Sequence, residues 1–433
     1  MTIFKFGGSN FNSKESFDNF LKIVNEIKSP TLIVVSALGK TTRRLDEALH
    51  LAETGKLTES LDILEKLKNF TLNLIDLILA SEKVKNQCTE NINNIFDEIA
   101  NYLRNIYVVR ELTAKTRDKV LAYGEKISSQ IFFSFLLDNE VSFELINADE
   151  IIITDNSFGK ANPLNEKIEH NIATIVQSTF EKSKIILTQG FIGCSEDGDI
   201  TTMGFESSNL TALLFAQYLD AKEITIWTDV EGVYNIDPNI YPNANPIAEL
   251  SYFQAKLAAK YGNKLFYPKM IKFAKEHRIS VYYRSLFNPN GNITLISDNH
   301  NAKENMLIYL DQLFSFKLDV SENNPINQSI FCRLLKQDDT TKFVIRYNSE
   351  SYVFTDDNAI LNIIGNELEY ERLSGVVLLN PNILKIYKTI TDFSDLFINL
   401  DFRLYPIENN VFLLLIRKSN NRDINNLLKV LFK

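Results

Sequence analysis

"TIFKFGGSNFNSKESFDNFLKIVNEIKSPTLIVV", residues 2–35, decides the fold class. "TIFKF" is a short strand and "GGSN" a turn. Then Phe17, Phe20, Leu21, Val24 and Ile27 recur at helical spacing. Asn12 and Glu15 stand as an N-cap pair in front of them. "TLIVV" is a buried strand, and "SALGKTT" behind it is a loop. Strand, helix, strand in that order predicts a parallel sheet covered by helices.

The pattern extends outward from there. Residues 45–137 are mostly helical, with Ile92, Ile95, Phe96, Ile99, Leu103 and Ile106 on one apolar stripe. From 142 to 297 the alternation returns. Strands "SFELIN", "KIILTQ", "EITIWT", "ISVYY" and "ITLIS" are separated by helices near 163–182, 206–219 and 251–261. This makes one α/β domain over 1–298. "SDNHNAKEN", 297–305, is a polar linker. Beyond it, 303–433 carries shorter elements. Strands are expected at 313–319, 341–347, 351–355, 374–379, 401–406 and 410–416, and helices at 326–336, 357–371, 392–399 and 422–432. This resembles two interleaved α+β units. No catalytic constellation stands out there, so a binding or regulatory role is expected.

Bulk properties exclude several classes. Lys+Arg 46 against Asp+Glu 55 gives −9, the wrong sign for a nucleic-acid binder. No apolar run approaches the roughly 18 residues that span a bilayer. "MTIFKFGGSN" lacks the layout of a signal peptide, and Cys88, Cys194 and Cys332 are too far apart for a disulfide framework or a zinc site. A cytoplasmic protein without a membrane partner is expected. His50, His170, His277 and His300 stand apart from one another and from the cysteines, which weakens metal-hydrolase and Ser–His readings.

Five stretches could carry chemistry. In "KFGGS", Lys5 to Ser9, two glycines let backbone approach a ligand and the following amides can cradle phosphate oxygens. "LGKTT" is not a Walker loop, because Val34 stands where that motif needs glycine. Its loop still offers Ser36, Thr41 and Thr42 hydroxyls. "TDVEGVYNIDP", 228–238, follows a strand end, where open α/β sheets bind ligands. Asp229, Tyr234 and Asp237 could meet a nucleotide or its metal there, although an ordinary turn reads as well. "YGEKIS", 123–128, places Glu125 near a helix start, where a dipole-stabilised carboxylate is the plain alternative. "TTMGFESSNLTA", 201–212, is a polar turn running into a helix, a junction suited to an anion.

Together these segments resemble the aspartokinases of the amino-acid kinase superfamily. "KFGGS", "VVSALGKTT", "LAYGEKIS", "ITDNSFGKA", "TQGFIG", "DITTMG", "IWTDVEGVYNIDP", "SYFQAKLAAKYGNKLFYP" and "NGNITLIS" come in the family's order. "IFCRLLKQ…FVIRYNSESYVFTDD" and "NNLLKVLFK" resemble the ACT-type regulatory tail. The resemblance implies an amino-acid kinase fold and transfer of the ATP γ-phosphoryl group, with Mg²⁺, to the side-chain carboxylate of aspartate. It implies roles for Lys5, Gly8 and Ser9 on the phosphates, and for Thr228, Asp229 and Tyr234 in the nucleotide pocket. Lys264 would be a second cation, Thr42 and Glu125 would hold aspartate, and Ser208 would lie on the acceptor side. It implies a homodimer through the tail, which could also bind an amino-acid effector.

The departures fall in one loop. The family pattern there is roughly T-T-L-G-R-G-G-S-D-Y. Here Phe205 replaces the Arg that grips an acceptor carboxylate in the relatives, and Asn209 replaces the Asp that helps organise the cations. Glu206 and Ser207 stand at glycine positions and Leu210 at the Tyr. Asn239 and Tyr267 stand where the family has Arg and His. Arg43 and Arg44, after Thr42, are the cations that could replace the missing one, unless they only decorate an exposed helix start. A weakened or non-catalytic relative that binds ATP or an effector, and a kinase for another small acid, are therefore alternatives.

Overall fold

The structure is a computed structural model. It describes residues 1–263, 265–299, 306–318, 342–347, 350–355, 370–379, 401–408 and 411–417. Lys264 and the helices expected over 326–336, 392–399 and 422–432 lie outside those residues. So does most of the helix expected over 357–371, whose last two residues open a strand instead.

The chain begins β1 (Thr2–Phe6), α1 (Lys14–Asn25), β2 (Thr31–Val35), as the opening stretch requires. A 3-10 turn at Gly8–Asn10 separates β1 from α1. The N-cap of α1 is Ser13, which accepts from Ser16 N–H, rather than Asn12. Four long helices follow: α2 (Thr41–Glu53), α3 (Leu57–Ile78), α4 (Glu82–Val109) and α5 (Ala114–Asp138). Then come β3 (Glu144–Ile146), α6 (Ala148–Ile151), β4 (Ile153–Thr154) and α7 (Asn165–Asn171). A π turn at Ile172–Val176 joins α7 to α8 (Gln177–Phe180). Next are β5 (Ile185–Gln189), β6 (Ile192–Ser195), β7 (Ile200–Thr202), α9 (Ser208–Tyr218) and β8 (Glu223–Thr228). β9 (Val233–Tyr234), β10 (Pro246–Ile247), β11 (Glu249–Ser251), α10 (Tyr252–Lys260) and α11 (Pro268–His277) precede β12 (Ser280–Ser285) and β13 (Thr294–Ser297).

Two compact units form. The first holds Met1–Gly232 and Lys272–Ser297, and the second Val233–Ile271 and Asp298–Lys433. The sheet of the first unit runs β13-β12-β8-β1-β2-β5-β3. All neighbours are parallel except β12 and β13. Strands buried on both faces need helices on both faces, and β2 and β5 are buried at every residue. Between β1 and the helices sits a phenylalanine cluster. Phe11 meets Phe132 at 4.7 Å, and Phe20 meets Phe6 at 4.9 Å, both edge-on. Each such ring contributes roughly 1.5–3 kcal/mol on burial. Helix α5 is buried on nearly every side, so it threads the core of this unit. Asp118 on α5 is fully buried and accepts from Gly159 N–H, Thr202 N–H and Thr202 Oγ1–H, each at 2.8 Å.

In the second unit β9 pairs with β10, and Ser251 and Gln254 cap α10 reciprocally. The tail forms β14 (Met306–Leu318), β15 (Lys342–Tyr347), β16 (Glu350–Thr355), β17 (Tyr370–Leu379), β18 (Asp401–Glu408) and β19 (Val411–Arg417). They make one six-stranded sheet in the order β15-β16-β14-β17-β19-β18. β14 runs along β17 for nearly its full length, with a bulge between Leu310 and Leu313. The tail strands expected from the sequence therefore share a single sheet.

Candidate functional site

The site lies at the C-terminal ends of the parallel strands of the first unit, where such sheets leave their ligand crevice. Lys5 is on β1, in register with Val34 on one side and Ile226 on the other. Behind it Gly7 N–H donates to Trp227 O, carrying the ladder one residue further. Gly8 is a packing glycine. A Cβ there would fall 1.9 Å from the carbonyl oxygen of Ala37. Gly39 N–H donates back to Gly8 O at 2.8 Å. The 7–10 turn and the 36–39 loop are thereby locked into one backbone cradle. Ser9 is exposed beside it.

Opposite the cradle is α9. Gly190, after β5, lets it come close, because a Cβ there would meet Ser208 Cβ at 2.5 Å. Ser208 and Ser207 are buried at its first turn, and Asn209 is half-buried. The preceding loop winds tightly, with Gly204 and Glu206 both at positive φ. Phe205 is 39% exposed, under the guanidinium of Arg117 at 5.8 Å.

Glu125 comes from the middle of α5 and not from a helix start. A helix-dipole role is excluded, since its carboxylate is 3% exposed and far from either end. Burial raises its pKa to about 8, against the pull of Lys5 and of the Ala37 amide. Burial likewise lowers Lys5 to about 8, against the charges of Glu125 and Glu206. The two groups thus share one low-dielectric region. Thr42, half-buried at the start of α2, has its Oγ1 3.3 Å from where a Gly124 Cβ would sit.

Buried polar atoms without partners gather at this edge. Five of the nine such atoms among the described residues are Asn10 Nδ2, Ser36 Oγ, Glu125 Oε2, Ser207 Oγ and Asn209 Oδ1; the others are on Thr188, Gln217, Trp227 and Arg284. Buried polar groups are nearly always hydrogen-bonded, so an unpartnered set at a strand-end crevice points to a polar ligand. A helix N-terminus, a lysine and a glycine-bound backbone cradle suit phosphate. The buried carboxylate suits an ammonium group.

Thr228 ends β8, and its Oγ1 donates to exposed Asp229 at 2.9 Å. Tyr234 belongs to the second unit, on β9. Lys264 lies outside the described residues. Among those residues no group of three or more His, Cys, Asp or Glu could hold a metal ion. Sequence reasoning missed Asn10, whose amide lies 3.7 Å from the Cβ position of Gly7, as does Lys5 Nζ. It sat inside a quoted turn but carries no charge to mark it.

Residues 1–285 match the sequence model of the amino acid kinase family. The chain belongs to the amino acid kinase family. Its relatives include Aspartokinase 1, chloroplastic, of Arabidopsis thaliana, 29% identical over 310 residues. That match covers 70% of this chain and 53% of the relative. Lysine-sensitive aspartokinase 3 of Escherichia coli (strain K12) is 28% identical over 301 residues, covering 68% and 64%. The chain thus spans between half and two thirds of the length of these curated relatives. Among solved structures, E. coli aspartokinase III in complex with lysine and aspartate superposes with a TM-score of 0.79 at 21% identity, over the whole of both chains. That likeness establishes the fold of this amino acid kinase. No described helix of it is long and apolar enough to cross a membrane.

Proposed function

We propose that this amino acid kinase transfers the γ-phosphoryl group of ATP to the side-chain carboxylate of L-aspartate, giving 4-phospho-L-aspartate and ADP. Such a product opens the route toward lysine, threonine and methionine. The observation that carries the reading is the set of unpartnered buried side-chain oxygens on Glu125, Ser207 and Asn209, with Lys5 and Glu125 within electrostatic reach of each other. Phosphoryl transfer depends on positioning and charge neutralisation more than on a reactive side chain. Lys5, Gly8 and Ser9 receive the phosphates, and Lys264 is the second cation. Thr228, Asp229 and Tyr234 receive the nucleotide. Thr42, Glu125 and Ser208 receive the acceptor, its ammonium on Glu125, and Asn209 lies on the phosphate side of α9. Mg²⁺ usually binds through one or two carboxylates plus substrate phosphates, and exposed Asp229 fits that mode. The metal would neutralise charge on the nucleotide phosphates.

Two solved structures of one relative lend support. One E. coli aspartokinase III structure holds aspartate and ADP, and the other lysine and aspartate. On that basis the tail of this chain is read as an ACT-type pair that binds an amino-acid effector and dimerises. The test is ATP consumption by the purified chain with and without L-aspartate, across small amino and carboxylic acids. Acid-dependent ADP release is expected. A second reading, an ATP-binding relative without turnover, is favoured by the uncharged Phe205 and the orphaned Asn209 oxygen. ATP binding without acid-dependent ADP release would establish it.

A further inference from the structure

The charged groups around the acceptor opening alternate in sign. Lys5 feels both Glu125 and Glu206. Glu206 in turn faces Arg43, whose Nη2 lies 3.8 Å from Glu206 Oε1. That separation exceeds a hydrogen bond, and the two side chains are 72% and 53% exposed. Exposed pairs of this kind hold their partners weakly. The neighbouring arginines are committed. Arg44 Nη1 donates to Glu47 on its own helix at 3.2 Å. Arg117 spends Nε and Nη2 on both oxygens of Asp46, at 2.7 and 2.8 Å. Arg43 is therefore the loosely held cation of the three.

Its position matters as much as its partner. Arg43 directly follows Thr42, and Thr42 packs on the residue before Glu125. A buried carboxylate with a free oxygen and an adjustable guanidinium thus belong to the residues that follow Gly124 and Thr42 at their contact. That pair is complementary to the ammonium and carboxylate of a zwitterion. Glu206 holds a backbone conformation, φ +66°, that side chains rarely adopt.

We propose that Arg43 sets acceptor specificity: its guanidinium receives the α-carboxylate of an α-amino acid whose ammonium lies on Glu125, and Glu206 holds the guanidinium at the opening until that carboxylate displaces it. The inference rests on the kinase reading above. A substrate carboxylate can engage the guanidinium through two parallel hydrogen bonds, which the loose Glu206 contact does not.

The test compares L-aspartate with its α-amide, which keeps the reacting side-chain carboxylate and loses only the α-charge. Wild type is expected to favour L-aspartate in kcat/KM by about tenfold, within the range for a charge-assisted hydrogen bond. Arg43→Gln is expected to erase that preference. Glu206→Gln is expected to lower KM for L-aspartate a few-fold and to leave the aspartate-to-amide ratio larger than in wild type. Equal loss on both acceptors in Arg43→Gln, or an unchanged ratio in both variants, would overturn the inference while the kinase reading stands. If neither acceptor is turned over, calorimetry with ADP present reads the same ratio in Kd. A ratio erased by Arg43→Gln supports the inference, and an unchanged one overturns it. ATP binding without binding of either acceptor overturns both readings.

Discussion

The two sides of the crevice are built from different materials. The side proposed for the phosphates is backbone. Gly7, Gly8 and the 36–39 loop are locked by main-chain hydrogen bonds, and Gly8 has no space for even one more carbon. The side proposed for the acceptor is side chain. Phe205, Glu206 and Arg43 are exposed, and their contacts with neighbours are long. Backbone cradles tolerate little change, because any added atom displaces main chain. Side-chain openings can be rewritten one residue at a time without disturbing the sheet beneath. Every departure from the aspartokinase pattern between 201 and 212 falls on the second kind of surface or at the first turn of α9.

The sharpest way to break this contrast is at Lys5. Lys5→Ala removes a preorganised cation and is expected to lower acid-dependent ADP release by about 10²–10³. A loss below tenfold would mean the phosphates are neutralised elsewhere. Glu125→Gln comes next, with an expected rise of roughly 10–100-fold in KM for L-aspartate.

Glu125 also fixes the pH dependence. With Glu125 raised to about 8, its carboxyl is protonated below that pH and cannot hold an ammonium group. With Lys5 lowered to about 8, its charge is lost above that pH. The profile of kcat/KM is therefore expected to be a narrow bell near pH 8, its limbs belonging to the coupled pair. Glu125→Gln should flatten the acid limb and move the basic limb to lower pH, because the Glu125 charge helps hold the Lys5 ammonium protonated. The linkage sign follows. A carboxyl raised by burial favours folding below the ordinary carboxylate range, and that contribution is lost as pH rises toward about 8. Urea melts of wild type and Glu125→Gln between pH 5 and 9 would show the difference.

Gly8→Ala tests the backbone side directly. A Cβ 1.9 Å from a main-chain oxygen cannot be accommodated by a rotamer change. A loss of about 1–3 kcal/mol in denaturant melts is expected, with weaker ATP binding. The smallest effect belongs to the side-chain surface. Phe205→Arg with Asn209→Asp should leave stability within about 0.5 kcal/mol, and raise aspartate-dependent turnover about tenfold. No gain, together with no turnover by wild type on any acid, would leave the ATP-binding reading in place.

The contrast also marks what the sequence could show. The βαβ opening, the strand ends and the tail strands were legible because apolar periodicity is a local signal. The cap of α1 was misplaced by one residue, since Asn12 and Ser13 are both good caps. The helix-start reading of Glu125 fails because "YGEKIS" continues α5 without a break. Gly124 lies mid-helix, where a Cβ would press on Ala37 Cβ and Thr42 Oγ1, each at 3.3 Å. The electrostatic chain from Glu125 through Lys5 and Glu206 to Arg43 was not legible. Its members are spread from residue 5 to residue 206, on β1, α2, α5 and the loop before α9, and meet only in the folded chain.

Asp118 gives this architecture a clock. Its buried carboxylate holds the amide protons of Gly159 and Thr202, from segments 41 and 84 residues along the chain. Exchange of either proton with solvent requires its hydrogen bond to Asp118 to break. The Gly159 amide sits in a turn, where exchange with deuterium is ordinarily fast. Here its rate should fall among those of the core strands, timing the rarest opening of the unit that carries Glu125.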